Sequence, residues 1–209
     1  MARAANPGSP GVTQTDLLQQ LESIGALKKG HFLYASGKHG DTYVEKFNLL
    51  RNPGATSEVC RHFADRFRDE RIDVVAGPTT GGILLAFETA RQLGVQAAYA
   101  ERKGDGQSGR EFRRDTTFEP GARVLVVDDI MTTGGSVRET LAALAEHPVE
   151  VVAVGVLVDR SAGATTFGDV PLVAVASRKF DAWEPEVCPL CARGVPLVKP
   201  GTTAQPGKA

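Results

Sequence analysis

The stretch Val124 to Val137, VLVVDDIMTTGGSV, sets four aliphatic residues before two adjacent carboxylates, Asp128 and Asp129, and follows them with Thr132, Thr133, Gly134, Gly135 and Ser136. If a helix begins near Ser136 or Val137, its first N–H groups and these hydroxyls converge on one small volume, and the two glycines let the backbone approach a ligand closely. That volume suits a phosphate monoester. Two carboxylates beside it would repel phosphate, so they must meet hydrogen-bond donors, either vicinal sugar hydroxyls or the water shell of a metal. A ribose 5-phosphate meets both demands.

A second Gly-rich turn, AGPTTGGI, follows the run DVVAG and offers Thr79, Thr80, Gly81 and Gly82 to a second anion at another helix start. Taken singly, the first turn reads better as a polar strand end with a helix cap, and the second reads equally well as a plain strand-to-helix turn. Their combination is far more specific. No G-x-G-x-x-G follows a strand and no G-x-x-x-x-G-K-[ST] is present, which excludes the common dinucleotide and ATPase phosphate loops.

The elements that must carry these turns alternate. DVVAG, VQAAYAE, RVLVVDD and EVVAVGVLVD are short, β-branched and nearly uninterrupted, as strands covered on both faces are. GGILLAFETARQLG and GSVRETLAALAEH fall between them as helices, preceded by the amphipathic stretches TDLLQQLESIGAL and EVCRHFADRFRDE. The order predicts an α/β fold, a Rossmann-like open parallel sheet flanked by helices, with ligands at the carboxyl ends of its strands.

Composition sets the outer limits. The 209 residues, 42% hydrophobic and 23% charged, suit a single domain over 13–199, between Gly-, Pro- and Ala-rich tails at 1–12 and 200–209. A net charge of -1 gives no basic field for nucleic acid. No apolar run is long enough for a membrane span or a secretory signal, and three cysteines make an odd count, so a cytoplasmic protein is expected.

The segment from Val124 to Ser136 resembles the 5-phosphoribosyl 1-pyrophosphate (PRPP) signature of the type I phosphoribosyltransferases. That resemblance implies a small hood, mainly residues 13–50 plus a C-terminal part, over the sheet. It implies PRPP binding by Asp128, Asp129, Ile130, Met131, Thr132, Thr133, Gly134, Gly135 and Ser136, with the carboxylates on the ribose 2- and 3-hydroxyls. Thr79, Thr80, Gly81 and Gly82 would take the pyrophosphate. Mg2+ is the implied cofactor, held mainly by the substrate with no direct protein ligand.

Within the family, several features are similar to the orotate phosphoribosyltransferases. GHFLYASGKHGDTYVEKFNLL is similar to their hood segment, here with Ser36, Gly37 and Tyr43, and Arg160 matches the arginine that receives the orotate carboxylate. A guanidinium fork suits a planar carboxylate, which purines and uracil lack. Thr132, Arg160 and Tyr43 are therefore the implied orotate contacts. AERKGDGQSGREFRRD, Gly-rich and without an apolar face, is expected to be an exposed lid loop or hairpin. By resemblance it closes over the neighbouring subunit's site in a homodimer, with Arg102 and Lys103 on PRPP and Lys103 and Asp129 in catalytic roles. The implied reaction is transfer of the phosphoribosyl group to orotate, giving orotidine 5'-phosphate and pyrophosphate in pyrimidine biosynthesis.

The chain departs from the family at three cationic positions: Ala35 before Ser36, Gly81 in the pyrophosphate turn, and Gly106 with Ser108-Gly109 in the lid. Either Arg110, Arg113 or Arg114 substitutes, or the acceptor differs. Transfer to another base and a PRPP-sensing regulator of little activity stand as alternatives. Finally, CPLCARGVP holds Cys188-x-x-Cys191, half of a zinc knuckle. Cys60, His31, His39, His62 and His147 show no matching spacing, so a turn closed by Pro189 and Pro196 is expected, with a zinc shared across a dimer as the lesser alternative.

Overall fold

The computed structural model describes residues 14–34, 36–104 and 107–200. In chain order the elements are α1 (Gln14–Ser23), β1 (Leu27–Leu33), β2 (His39–Val44), α2 (Lys46–Leu50), α3 (Pro53–Phe67), β3 (Val74–Pro78), α4 (Gly81–Leu93), β4 (Gln96–Arg102), β5 (Arg110–Glu111), β6 (Ala122–Met131), α5 (Gly135–Leu144), β7 (Val149–Asp159), β8 (Leu172–Ser177), β9 (Ala182–Trp183) and α6 (Pro189–Ala192). The main sheet runs β5-β4-β3-β6-β7-β8 and is parallel except for β5. It is the Rossmann-like sheet expected from the alternation of apolar runs and helices, extended by β8, an apolar segment not among the four expected strands.

Side chains alternate across the strands. Val74, Ala76, Val124 and Val126 join a core with Val137 and Leu144 of α5. Val75, Leu125 and Val127 face the other way, onto Leu17 and Leu21 of α1, Phe63 and Phe67 of α3, and Leu85 and Ala90 of α4. Phe63 is fully buried there, and truncation to Ala is expected to cost about 3–5 kcal/mol. α3 begins earlier than apolar periodicity alone indicates because Asn52 caps it, its side chain accepting from the Ala55 N–H at 3.2 Å, with Pro53 at the first helical position.

The hood is a separate three-stranded antiparallel sheet, β1-β2-β9. Leu27 pairs with Val44 and Phe32 with Gly40, while His39 pairs with Trp183. Farther along, the Val198 N–H donates to the His31 carbonyl and the Leu33 N–H to the Val198 carbonyl, each at 2.8 Å. Residues from both ends of the domain thus build one small sheet.

That sheet corrects one expectation. His31 and His39 are a pair, with His31 Nε2 3.1 Å from His39 Nδ1, and Cys188 and Cys191 stand against them. Neither helical nor knuckle spacing relates positions 31 and 39. They meet because a hairpin folds β1 onto β2, and the Cys pair arrives from the far end of the chain.

Candidate active site

β6 and β3 part at the carboxyl edge of the sheet. Their pairing ends at Ala76 with Val126, whereas β6 stays paired with β7 as far as Met131 and Asp159. The β3 flank of residues 127–131 is therefore open. The chain leaves β3 toward β4 on one side and leaves β6 toward β7 on the other, so this crevice is the switch point where open α/β sheets bind ligands. Asp128 and Asp129 lie within the strand, which continues to Met131 rather than ending at Val127.

Two helix starts border the crevice. α5 opens on Gly134, at φ 76°, and no side chain caps it. Its first N–H groups have no intrahelical acceptors. A cavity of about 270 Å³ lies against it, lined by residues 130–137 with Arg102, Asp128 and Glu139. This one pocket holds Arg102, Asp128, Ile130, Met131, Thr132, Thr133, Gly134, Gly135 and Ser136 of the expected set. α4 likewise opens without a side-chain cap, on Thr80, after a cis Thr79–Thr80 peptide. Gly81 is glycine for space: a Cβ there would come within 1.8 Å of Asp129 Oδ2.

Strand alternation brings the two carboxylates to the crevice from its two faces. Asp128 follows Val126 toward α5. Asp129 follows Val127 toward Gly81 and the hood, where Lys46 Nζ pairs with its Oδ2 at 3.0 Å. That Oδ2 is buried and has no aligned hydrogen-bond donor. Burial, and then the neighbouring Asp129 charge, push the Asp128 carboxyl up to about 7, against the opposing pull of the Asp129 N–H, Lys46 and Arg110. Lys46 had no part in the expected site. It precedes no Gly-rich turn, and the packing of α2 against α3 and α4 brings it there.

At the other end of the crevice, the Arg160 N–H donates to the Met131 carbonyl at 2.8 Å, tying the end of β7 to β6. Its guanidinium is close to two rings, 5.0 Å from the centre of Tyr34 and 4.9 Å from that of Phe180. Asp159 shapes the loop that follows, accepting from the Ser161 N–H at 2.7 Å and the Gly163 N–H at 2.8 Å. Burial raises its carboxyl, but these bonds with the hydroxyls of Ser161 and Ser177 outweigh that and hold it below the usual range. The tyrosine ring against Arg160 is that of Tyr34, while the Tyr43 ring packs on Phe32 at 5.7 Å. Tyr34 lies flat along β2, its Oη donating to the Thr42 carbonyl at 2.5 Å, because Gly40 has no side chain; a Cβ there would come within 2.2 Å of that Oη. Ser36 and Gly37 form the turn beyond it, with Gly37 at φ 84°. Ala35 lies outside the described residues, as do Asp105 and Gly106.

The charged segment after β4 is a hairpin in which Glu101 pairs with Glu111 and Arg102 with Arg110. Of the three arginines considered as substitutes, Arg113 pairs with Glu111 and Arg114 with Glu101. Arg110 instead is buried against the second turn, donating to Thr79 Oγ1 at 2.8 Å and to the Ala100 carbonyl at 3.1 Å. Its Nε lies 3.2 Å from Glu139 Oε2. Burial lowers its pKa, with Glu139 opposing. Lys103 is not brought into the crevice of its own chain, its Nζ lying 3.7 Å from Glu146 Oε1.

Comparison with known proteins follows this geometry. Residues 47–167 match the phosphoribosyl transferase domain. Over 186 residues the chain is 44% identical to an orotate phosphoribosyltransferase of Caldanaerobacter subterraneus, covering 89% of this chain and 96% of that one. An orotate phosphoribosyltransferase of Caldicellulosiruptor bescii is 43% identical, over 88% of this chain and 95% of its own. Among solved structures, the orotate phosphoribosyltransferase of Aeropyrum pernix superposes with a TM-score of 0.66 at 28% identity, covering 77% of this chain and 93% of that one. Among the described residues no helix is long and apolar enough to cross a membrane.

Proposed function

The chain belongs to the phosphoribosyltransferase family, among the orotate phosphoribosyltransferases, and from that premise we propose how its own residues transfer the phosphoribosyl group of PRPP to orotate. The observation that carries the reading is that two uncapped helix starts, two buried carboxylates and a guanidinium close to two aromatic rings lie on neighbouring strand ends at the carboxyl edge of one sheet. A phosphorylated pentose with a second phosphate group, and a planar acid beside it, satisfy all of these together.

In this reading the N–H groups of α5 and the hydroxyls of Thr132, Thr133 and Ser136 hold the 5-phosphate. Asp128 and Asp129 accept from the ribose hydroxyls. The Thr79–Gly82 turn receives the pyrophosphate, with Arg110 behind Thr79 supplying positive charge that the family's usual lysines would otherwise provide. Arg160 takes the orotate carboxylate on its planar fork, and the nearby rings of Tyr34 and Phe180 limit where that fork can point. Mg2+ suits a site of this composition, since Asp128 and Asp129 offer buried carboxylate oxygens, the latter already paired with Lys46, that could accept from the waters of an ion held mainly by the substrate; when bound it would neutralise charge on the leaving pyrophosphate.

Orotate N1 attacks C1 of the sugar as the bond to pyrophosphate breaks, and the proton that N1 carried leaves to the departing pyrophosphate or to water. The chain's task is to stabilise the leaving oxygens and to exclude water while the sugar is electron-poor. Lys103 does neither from its place beside Glu146. It acts when the hairpin closes, across a homodimer, on a neighbouring crevice. The decisive experiment incubates the protein with Mg2+, PRPP and one of orotate, uracil, hypoxanthine or adenine, and follows pyrophosphate release. Release with orotate alone is expected. Release with a purine and none with orotate would overturn the choice of acceptor.

A further inference from the structure

We propose that His31, His39, Cys188 and Cys191 form a structural zinc site that fastens the C-terminal segment to the hood. Their donor atoms all lie within 4.8 Å of one another. His31 Nε2 is 3.1 Å from His39 Nδ1, 3.4 Å from Cys188 Sγ and 3.8 Å from Cys191 Sγ, while Cys191 Sγ is 3.2 Å from His39 Nδ1. For Zn–N bonds of about 2.0–2.1 Å and Zn–S bonds of about 2.3 Å, a tetrahedron sets N and N about 3.3 Å apart, N and S about 3.5 Å, and S and S about 3.8 Å. The four edges given are close to those lengths, and the other two are no longer than 4.8 Å.

The surroundings support a metal rather than a chance cluster. His31 Nδ1 lies 2.7 Å from the Val195 carbonyl. A carbonyl only accepts, so Nδ1 carries the proton and the lone pair of a neutral ring falls on Nε2, which points at the other three donors. His31, His39 and Cys188 are buried, so three ligands are shielded from water. Two thiolates and two imidazoles select zinc among the common divalent ions, and four protein ligands leave no open position for chemistry. Binding the ion to two thiols and two neutral imidazoles releases two protons and requires no oxidant or reductant.

The C-terminal segment also needs such a tie. From Glu184 to Lys199 only Cys188 and Leu190 are buried, while Val187, Val195, Leu197 and Val198 are exposed. Apolar burial therefore contributes little to holding these residues in place. The metal would join α6 to both strands of the hairpin, and this hairpin carries Tyr34 onto Arg160. All four ligands belong to one chain, so no second subunit is required.

The test counts metal and does not depend on transfer activity. Full-length protein grown with zinc and purified without chelator is expected to hold one zinc per chain by mass spectrometry of the metal. After exchange with Co2+ it should show the intense visible bands of tetrahedral cobalt and a sulfur-to-cobalt charge-transfer band. Cys191→Ser, at an exposed position, is expected to lose stoichiometric zinc and the charge-transfer intensity of one thiolate. Should that variant fail to fold, the wild-type chain decides: a strong chelator should lower its thermal midpoint and expose two thiols to a titrant, with Cys60 remaining buried and silent. Metal well below one per chain, cobalt spectra without a sulfur band, or a Cys188–Cys191 disulfide seen as a mass deficit would each overturn the proposal. A chain that holds zinc yet transfers nothing to orotate would refute only the assignment of function.

Discussion

The crevice and the hood are built in opposite ways. The crevice draws its proposed anion sites from two contiguous stretches, 79–82 and 128–136, in which strand, turn and uncapped helix start follow one another. The hood draws Tyr34, His31 and His39 from one end of the domain and Phe180, Cys188 and Cys191 from the other, and each side chain has its role only because a remote segment packs against it. A site made of consecutive backbone is written into local sequence. A site made of side chains from distant strands is not.

The largest effect is expected in the hairpin proposed as a lid, which belongs to neither region. Lys103→Ala should lower turnover by roughly a hundredfold to a thousandfold, about 2.7–4 kcal/mol, the usual cost of removing a contact to a developing oxyanion. PRPP uptake by the open enzyme and zinc content should be unchanged. Steady-state rates alongside calorimetric titration check this, and unchanged turnover would remove Lys103 from the mechanism.

Next comes the crevice itself. Gly81→Ala places a methyl group 1.8 Å from Asp129 Oδ2, an overpacking that cannot be relieved without moving the carboxylate or the start of α4, at a cost of about 1–3 kcal/mol. PRPP affinity should fall by tenfold or more while the hood keeps its zinc. If affinity and metal were lost together, the two regions would not be independent. A smaller and more selective loss is expected for Arg160→Ala, in which a charged hydrogen bond worth about 1.5–3 kcal/mol disappears. KM for orotate should rise roughly tenfold to a hundredfold with KM for PRPP unmoved. Arg160→Lys should recover only part, because an ammonium has no planar fork.

The contrast also explains what was legible. The α/β alternation and four strands of the parallel sheet could be read because β-branched runs and helical periods are local signals. The two Gly-rich turns could be read because uncapped helix starts require small residues there. β8, half-buried at the sheet edge, carries a weaker version of the same signal. The His31–His39 pair was illegible for a definite reason: an interval of eight is neither a helical face nor a knuckle spacing, and it acquires meaning only from the β1–β2 register. The contact of Tyr34 with Arg160 was illegible because nothing local shows which hood aromatics reach that guanidinium. The absence of a side chain at Gly40 decides that, and it acts six residues away.

The smallest expected effect is on pH, and it links the crevice's construction to its use. In the empty protein burial and the Asp129 charge raise the Asp128 carboxyl from 3.8 to about 7. A raised folded value means that the folded chain binds more protons than the unfolded one between those limits, so this group makes the empty protein less stable as pH rises through that window. PRPP reverses the preference, because ribose hydroxyls donate to the carboxylate form. Uptake should then release a proton near neutrality and be about tenfold weaker at pH 6 than at pH 8, given a midpoint of about 7. Calorimetric titration in two buffers of different ionisation enthalpy measures the released proton directly. Asp128→Asn should abolish both the release and the pH dependence, whereas Arg160→Ala should leave them intact. Proton release that persists in Asp128→Asn would place the titrating group elsewhere. Release lost in Arg160→Ala would show that the base end of the crevice governs its phosphate end, contrary to the separation drawn between local and long-range construction.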